Sequence, residues 1–279
     1  VRSSAASDVY KRQIQGIFSM GRIIAFANQK GGVGKSTMTV QGAFYFALQE
    51  KKKVLVVDMD AQANSTATLI GRKTPLTSTR SEHLFDRELD ELKVQKTEFG
   101  IDVIGSSLTD DDGYDVESLP VEMAALPSMH LEKLRDQYDY IFIDCPPTLG
   151  RRLLSALLAA DYVIMPVKLS GYAVDGLQRL FNTLVTIKEG FNPSLEILGA
   201  IINEYDGTAA HRVALAEVQE ALPGLVFDHY LRHRSPIDMA SRGEPVWKVR
   251  NGQRAAEEFA AIFKEMKQKI IKFEKNKNN

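Results

Sequence analysis

A single doubly wound, mostly parallel α/β sheet with helices on both faces is the fold this sequence predicts. Three observations predict it. Short apolar runs rich in Val and Ile alternate with longer segments of helical periodicity, as buried parallel strands and their crossover helices do. The first run feeds a glycine-rich loop closed by lysine, and two later runs end on Asp58 and Asp144, which suits a ligand crevice at strand C-termini. The 279 residues, 44% hydrophobic and 25% charged, suit one large globular domain. No stretch approaches the roughly 20 continuous apolar residues that span a bilayer. Cys145 is the only cysteine, so neither a disulfide nor a cysteine-held zinc or iron–sulfur site can form within one chain. A reducing, cytoplasmic setting is expected.

Residues 1–19 show no apolar periodicity and lack the apolar core of a secretory signal. Ser3 to Gln13 resembles a non-native, adaptor-derived leader, so this segment is expected to be disordered, with Met20 as the start. The spacing predicts a strand over residues 23–28 and a helix over 36–50, then a strand over 54–58. Residues 72–98, polar and charged with Pro75, read as a surface excursion. A strand follows over 101–104, and Asp110, Asp111 and Asp112 read as a solvated loop. The strand over 140–144 is stopped by Pro146 and Pro147. Helices over 150–160, 174–189 and 209–222 then alternate with strands over 162–166, 197–203 and 225–228. A last helix over about residues 252–273 closes one domain of residues 20–273, leaving 274–279 as a disordered tail.

Asn28-Gln29-Lys30-Gly31-Gly32-Val33-Gly34-Lys35-Ser36-Thr37 lies between the first strand and the first helix. Glycines there let successive N–H groups turn inward, and the following helix presents its positive end to an anion. Lys35 is placed to reach the outer phosphates of a nucleotide, and the Ser36 hydroxyl to ligate Mg²⁺. The common phosphate-loop pattern has glycine where this chain has Gln29. Lys-Gly-Gly-Val-Gly-Lys-Ser-Thr, with its second lysine at Lys30, instead resembles the deviant Walker A family of ParA, MinD and the nitrogenase iron protein. That resemblance implies a P-loop NTPase fold and ATP with Mg²⁺ as cofactors. It also implies contacts from Gly31, Gly32, Val33, Gly34, Lys35, Ser36 and Thr37, and a role for Lys30 across a sandwich dimer, where a cation brought by the partner stabilises the transferring phosphate. The other reading of Lys30 is a cap on its own loop.

Asp58-Met59-Asp60-Ala61-Gln62 is similar to the first switch of ParA-like proteins, which implies that Asp60 orients the attacking water and Asp58 supports the switch. Asp144 ends the Walker B strand and is expected to hold Mg²⁺ through water opposite Ser36. Cys145 reads as a buried neighbour of that site. Asp144-Cys145-Pro146-Pro147-Thr148-Leu149-Gly150 and the runs after it resemble ParA and Soj more than MinD. By the same resemblance Asn203 reads the adenine edge, while its position equally suits a satisfied strand-end amide. Ser241-Arg242-Gly243-Glu244-Pro245-Val246 continues the likeness, which loosens at Tyr230-Leu231-Arg232-His233-Arg234.

The net charge of −1 is uneven: residues 232–279 carry twelve Lys/Arg against six Asp/Glu, and the remainder 23 against 30. The basic end suits attraction for polyanions, or a solvated helix and tail. No helix-turn-helix is expected before the phosphate loop, so DNA contact is expected to phosphates and independent of sequence. Candidate contacts are Arg232, Arg234, Arg242, Lys248, Arg250 and Arg254. In the last helix Phe259, Ile262, Phe263, Met266, Ile270 and Phe273 share a face flanked by lysines. That pattern suits packing on the sheet, with a membrane-binding helix like that of MinD as the other reading. The resemblance implies a nucleoid-associated ATPase that dimerises with ATP, binds DNA non-specifically and releases when a ParB-like partner stimulates hydrolysis. The alternative is a MinD-like division-site ATPase on a membrane. A metabolic enzyme of the same fold fits least, because a bridging cluster needs more than one cysteine.

Overall fold

The computed structural model describes residues 21–107, 115–171 and 173–277. The leader, Met20 and the Asp110, Asp111 and Asp112 run lie outside them. Strands β1 (Arg22–Phe26), β2 (Val54–Asp58), β3 (Gln95–Lys96), β4 (Ile101–Ile104), β5 (Tyr140–Asp144), β6 (Tyr162–Lys168) and β7 (Glu196–Asn203) form one sheet in the order β3-β4-β2-β5-β1-β6-β7. Strand β3 is antiparallel to β4, and the other pairings are parallel. In chain order the helices are α1 (Lys35–Phe44), α2 (Asn64–Ile70), α3 (Leu126–Glu132), α4 (Arg151–Ala159), α5 (Ala173–Gly190), α6 (Ala209–Ala221), α7 (Ser235–Ala240) and α8 (Gln253–Lys277). The fold class read from the sequence is the one observed.

Alternation along each strand builds two cores. Ile23 and Ala25 of β1 face the core made with α3, α4, α5 and α6. Ile24 and Phe26 face the core made with α1, α2, α7 and α8. The order in which strands are added across the sheet reverses about β1 and β5, because β2 and β4 lie on one side of them and β6 and β7 on the other. In an open sheet the ligand crevice forms at the strand C-termini where the order switches.

Helix α8 lies on the sheet with Phe259, Ile262, Phe263, Met266 and Ile270 buried, so its apolar face is core rather than a free membrane-binding face. Among the described residues no helix is long and apolar enough to cross a membrane. Phe263 meets the rings of Tyr45, Phe46 and Phe259. Phe263→Ala is expected to cost about 3–5 kcal/mol of stability, read as a lower midpoint in urea unfolding with the slope unchanged.

Four expectations need correction. Residues 225–228 form no strand beyond a single bridge from Val226 to Ala200, because the N–H groups of Asp228 and His229 turn instead to the Glu265 carboxylate of α8. Residues 274–277 are not a disordered tail: α8 runs to Lys277, tied by Glu274 to Arg22 at 2.6 Å and by Lys277 to Glu196 at 3.4 Å. Residues 72–98 are more than a surface excursion, since Leu84 and Phe85 are fully buried and Gln95–Lys96 pairs with β4. The helix after the glycine-rich loop changes at Phe44 to a wider π-turn over Tyr45–Gln49.

Candidate functional site

Beyond β1 the chain turns over the C-terminal edge of the sheet before α1 begins. Asn28 sets the entry: its amide nitrogen donates to Pro166 O at 2.7 Å, and its amide oxygen accepts from Lys30 N at 2.9 Å. Gly34, which caps α1, has φ 99°, and a Cβ there would collide with the Asn203 amide nitrogen. Only glycine meets both demands. Around Gly31 and Gly32 nothing stands within 4 Å of a Cβ position, so the loop backbone borders open space. That space is a cleft of about 840 Å³, lined by Gly31, Gly32, Gly34, Lys35, Ser36, Thr37 and Asp60 among others. It receives the N-terminus of α1, whose unsatisfied N–H groups favour an anion.

Three carboxylates stand behind or beside the loop, each in a different state. Asp58 is fully buried and engaged, accepting from Thr66 N at 2.8 Å, Thr66 Oγ1 at 2.7 Å and Asp60 N at 3.1 Å. Asp144 is also fully buried; Ser65 donates to its Oδ2 at 2.7 Å, while Oδ1 has no partner. Burial raises both carboxyls above the usual range. The charge of Asp144 adds to the rise at Asp58, and the neighbouring hydroxyls of Ser36 and Ser65 oppose it at Asp144. Asp60 borders the cleft, and its Oδ1 accepts from Gln62 N at 3.0 Å.

A bare carboxylate oxygen beside a serine hydroxyl at a phosphate cradle is a hard-oxygen donor set suited to Mg²⁺. Among the described residues no three His, Cys, Asp or Glu side chains gather as a metal cage. An ion here therefore needs oxygens from a phosphate and from water, so the residues present fit Mg²⁺ with a nucleotide rather than Mg²⁺ alone.

The other predicted residues separate into groups. The buried Lys35 donates to Lys30 O at 3.3 Å, folded into its own loop. Lys30 reaches away, with its exposed amine 3.2 Å from Ser170 Oγ. Val33 is buried and offers only its backbone, its carbonyl accepting from Asn203 at 2.9 Å. Asn203 also accepts from Glu204 N at 3.0 Å, so it braces the phosphate loop and keeps one proton and one lone pair for another partner. Arg232, Arg234 and Arg242 line the cleft, whereas Lys248, Arg250 and Arg254 do not and are exposed. Arg234 is held by Glu258 at 2.6 Å. Cys145 is fully buried, and burial first and Asp144 second push its thiol well above the ordinary range, so it is no nucleophile.

Sequence reasoning missed Ser65, Thr66, Ser170, Glu82 and Arg152. The first two had a legible signal, since a Ser-Thr pair opens a helix just beyond the Asp58–Asp60 turn. The others meet the site only through long-range contacts.

The family model described as an AAA domain matches residues 21–197. The chain is 34% identical over 262 residues to the chromosome partitioning protein ParA of Myxococcus xanthus, covering 92% of each chain. It is 32% identical to the sporulation initiation inhibitor protein Soj of Bacillus subtilis, covering 88% of this chain and 98% of that one. Among solved structures, a putative plasmid partition protein of Borrelia burgdorferi bound to AMPPNP superposes with a TM-score of 0.71 at 27% identity, covering 89% of this chain and 99% of that one. Cobyrinic acid a,c-diamide synthase of Mycobacterium smegmatis with ADP and magnesium gives a TM-score of 0.68 at 28% identity over 80% of this chain and 91% of that one.

Proposed function

Given that the chain belongs to the ParA/Soj family of P-loop ATPases, we propose that it is a partition ATPase. In this reading it dimerises on Mg²⁺–ATP, binds DNA without regard to sequence, and lets go after a ParB-like partner stimulates hydrolysis. The observation that carries the dimer is the divergence of the two loop lysines. Lys35 is buried in its own loop, while the amine of Lys30 is exposed outside the lining of its own cleft. A cation so placed suits the phosphates of a facing subunit better than those of its own.

ATP takes the cleft with its phosphates on the Gly31 to Thr37 backbone. A bound Mg²⁺ supplies positive charge to the phosphate oxygens. Ser36 and the bare Oδ1 of Asp144, through water, would hold it there. Lys35 swings from Lys30 O to the outer phosphates, and Asp60 orients water against the terminal one. Asn203 braces the loop and turns its remaining donor and acceptor toward the base. Hydrolysis removes the charge that Lys30 came to meet, and the preference for the dimer goes with it.

Lys248, Arg250 and Arg254, exposed and away from the cleft, are the proposed DNA contacts. Arg232, Arg234 and Arg242 border the nucleotide cleft and have less claim to DNA. The burial of the apolar face of α8 supports the nucleoid over the membrane as the surface of action. The test is binding of random-sequence DNA with ATP, ADP or no nucleotide across a salt series. With three contacts in each subunit of a dimer, the slope of log affinity against log salt is expected near roughly −5 with ATP. Equal binding in all three nucleotide states, or a flat salt response, counts against the proposal.

A further inference from the structure

Arg152 lies in the first turn of α4, just past the segment that follows Asp144. Its side chain is 8% exposed, as is that of its partner Glu82. One guanidinium nitrogen donates to Glu82 Oε1 at 3.1 Å, and another to Met59 O at 3.5 Å. Met59 stands between Asp58 and Asp60, and its own N–H donates to Asp144 O at 2.9 Å. Met59 is thus held by β5 through its N–H and by α4 through its carbonyl, which belongs to the peptide leading into Asp60.

The contacts close into a circuit. Asp58 accepts from Thr66 Oγ1 at 2.7 Å, and that oxygen accepts from Ser106 N at 3.0 Å. Ser106 Oγ donates to Glu82 Oε1 at 2.7 Å, and Glu82 receives Arg152, which returns to Met59. Burial opposes the charge of Glu82, yet Arg152 and the hydrogen bonds of Ser106 and Ser107 outweigh it and leave the carboxyl below its ordinary range. Glu117 fixes the start of α4, accepting from Arg151 N at 2.6 Å and Arg152 N at 3.4 Å. An ion pair this deeply buried adds little to stability over apolar residues of equal size, so stability alone does not account for it.

We propose that Arg152 is a positioning residue for hydrolysis, tying the Met59 carbonyl, and with it Asp60, to the first turn of α4. Glu82 aims the guanidinium. Movement of the segment between Asp144 and α4 then reaches Asp60 through one side chain. The inference rests on the hydrolytic role proposed for Asp60.

The full chain is tested by single-turnover ATP hydrolysis and by titration with a fluorescent ATP analogue. Arg152→Met is expected to slow hydrolysis roughly 10²-fold, with the analogue's Kd moving less than about twofold. Arg152→Lys, which keeps the charge but not the planar fork, recovers part of the rate. Arg152→Met combined with Glu82→Gln leaves no unpaired buried charge, so it melts near the wild type yet stays slow. Recovery of hydrolysis in that double variant, or parallel loss of rate and affinity in Arg152→Met, overturns the inference. A wild type that does not hydrolyse ATP defeats the ATPase reading and this inference with it. An active wild type with an unimpaired Arg152→Met variant defeats this inference alone.

Discussion

Lys35→Ala is expected to abolish ATP binding at millimolar nucleotide while leaving a folded protein. The lysine is buried at the mouth of α1, and its amine donates to the loop carbonyl of Lys30 at 3.3 Å. Giving up that contact costs little, and α1 keeps its apolar packing through Met38, Val40, Ala43 and Phe44. The loss at the nucleotide is far larger. Two charge-assisted hydrogen bonds to phosphate are worth about 1.5–3 kcal/mol each, so their removal weakens binding by roughly 10²- to 10⁴-fold. Thermal unfolding with and without Mg²⁺–ATP checks both halves. The wild type gains about 2.7 kcal/mol at a nucleotide concentration 100 times its Kd, and the variant gains less than about 0.5 kcal/mol at that concentration. A variant that still binds within about tenfold of the wild type would remove Lys35 from the phosphate site.

Much of the fold was legible because its signals are local. Val54–Asp58 and Tyr140–Asp144 carry Val, Ile and Phe in continuous runs, as strands covered on both faces must. The glycine-rich loop announces itself by composition, and Gly34 shows why: neither its backbone nor Asn203 leaves room for a side chain. The apolar stripe of α8 could be read from its spacing, but where that helix ends could not, since Glu274 is held by Arg22 at the far end of the chain. Residues 225–228 look like a strand until Glu265 draws two of their N–H groups out of the sheet. Leu84 and Phe85 were hidden by polar neighbours and are buried against α3 and α4.

Charge counting shows a second limit. The basic C-terminal residues looked like one class of DNA contact, yet Arg232, Arg234 and Arg242 border the cleft and Arg234 is tied to Glu258. Net charge is additive along a sequence, but which surface carries it depends on how the chain between α6 and α8 folds over the sheet. The pairing of Glu82 with Arg152 is illegible for the same reason, since the two residues meet only when the segment before β3 folds over α4.

Asp60→Ala is expected to stop hydrolysis while nucleotide binding and dimerisation persist. The three acids near the loop have separable duties, and only Asp60 borders the cleft. Asp58 stays in place through Thr66, and Asp144 keeps its unpartnered oxygen, the one proposed to face Mg²⁺. Losing the Asp60 carboxylate costs one local hydrogen bond, from Gln62 N, which the exposed turn replaces with water. Removing a group that orients or deprotonates the attacking water lowers the rate roughly 10²- to 10⁴-fold. Lys35, Ser36 and Lys30, which hold the triphosphate and join the subunits in this account, are untouched. The variant should therefore accumulate as an ATP-bound dimer in light scattering and hold DNA longer than the wild type, with phosphate release near background. Phosphate release at the wild-type rate would take the water-orienting role away from Asp60. A variant that stays monomeric with Mg²⁺–ATP would instead place the carboxylate in the assembly of the site rather than in its chemistry.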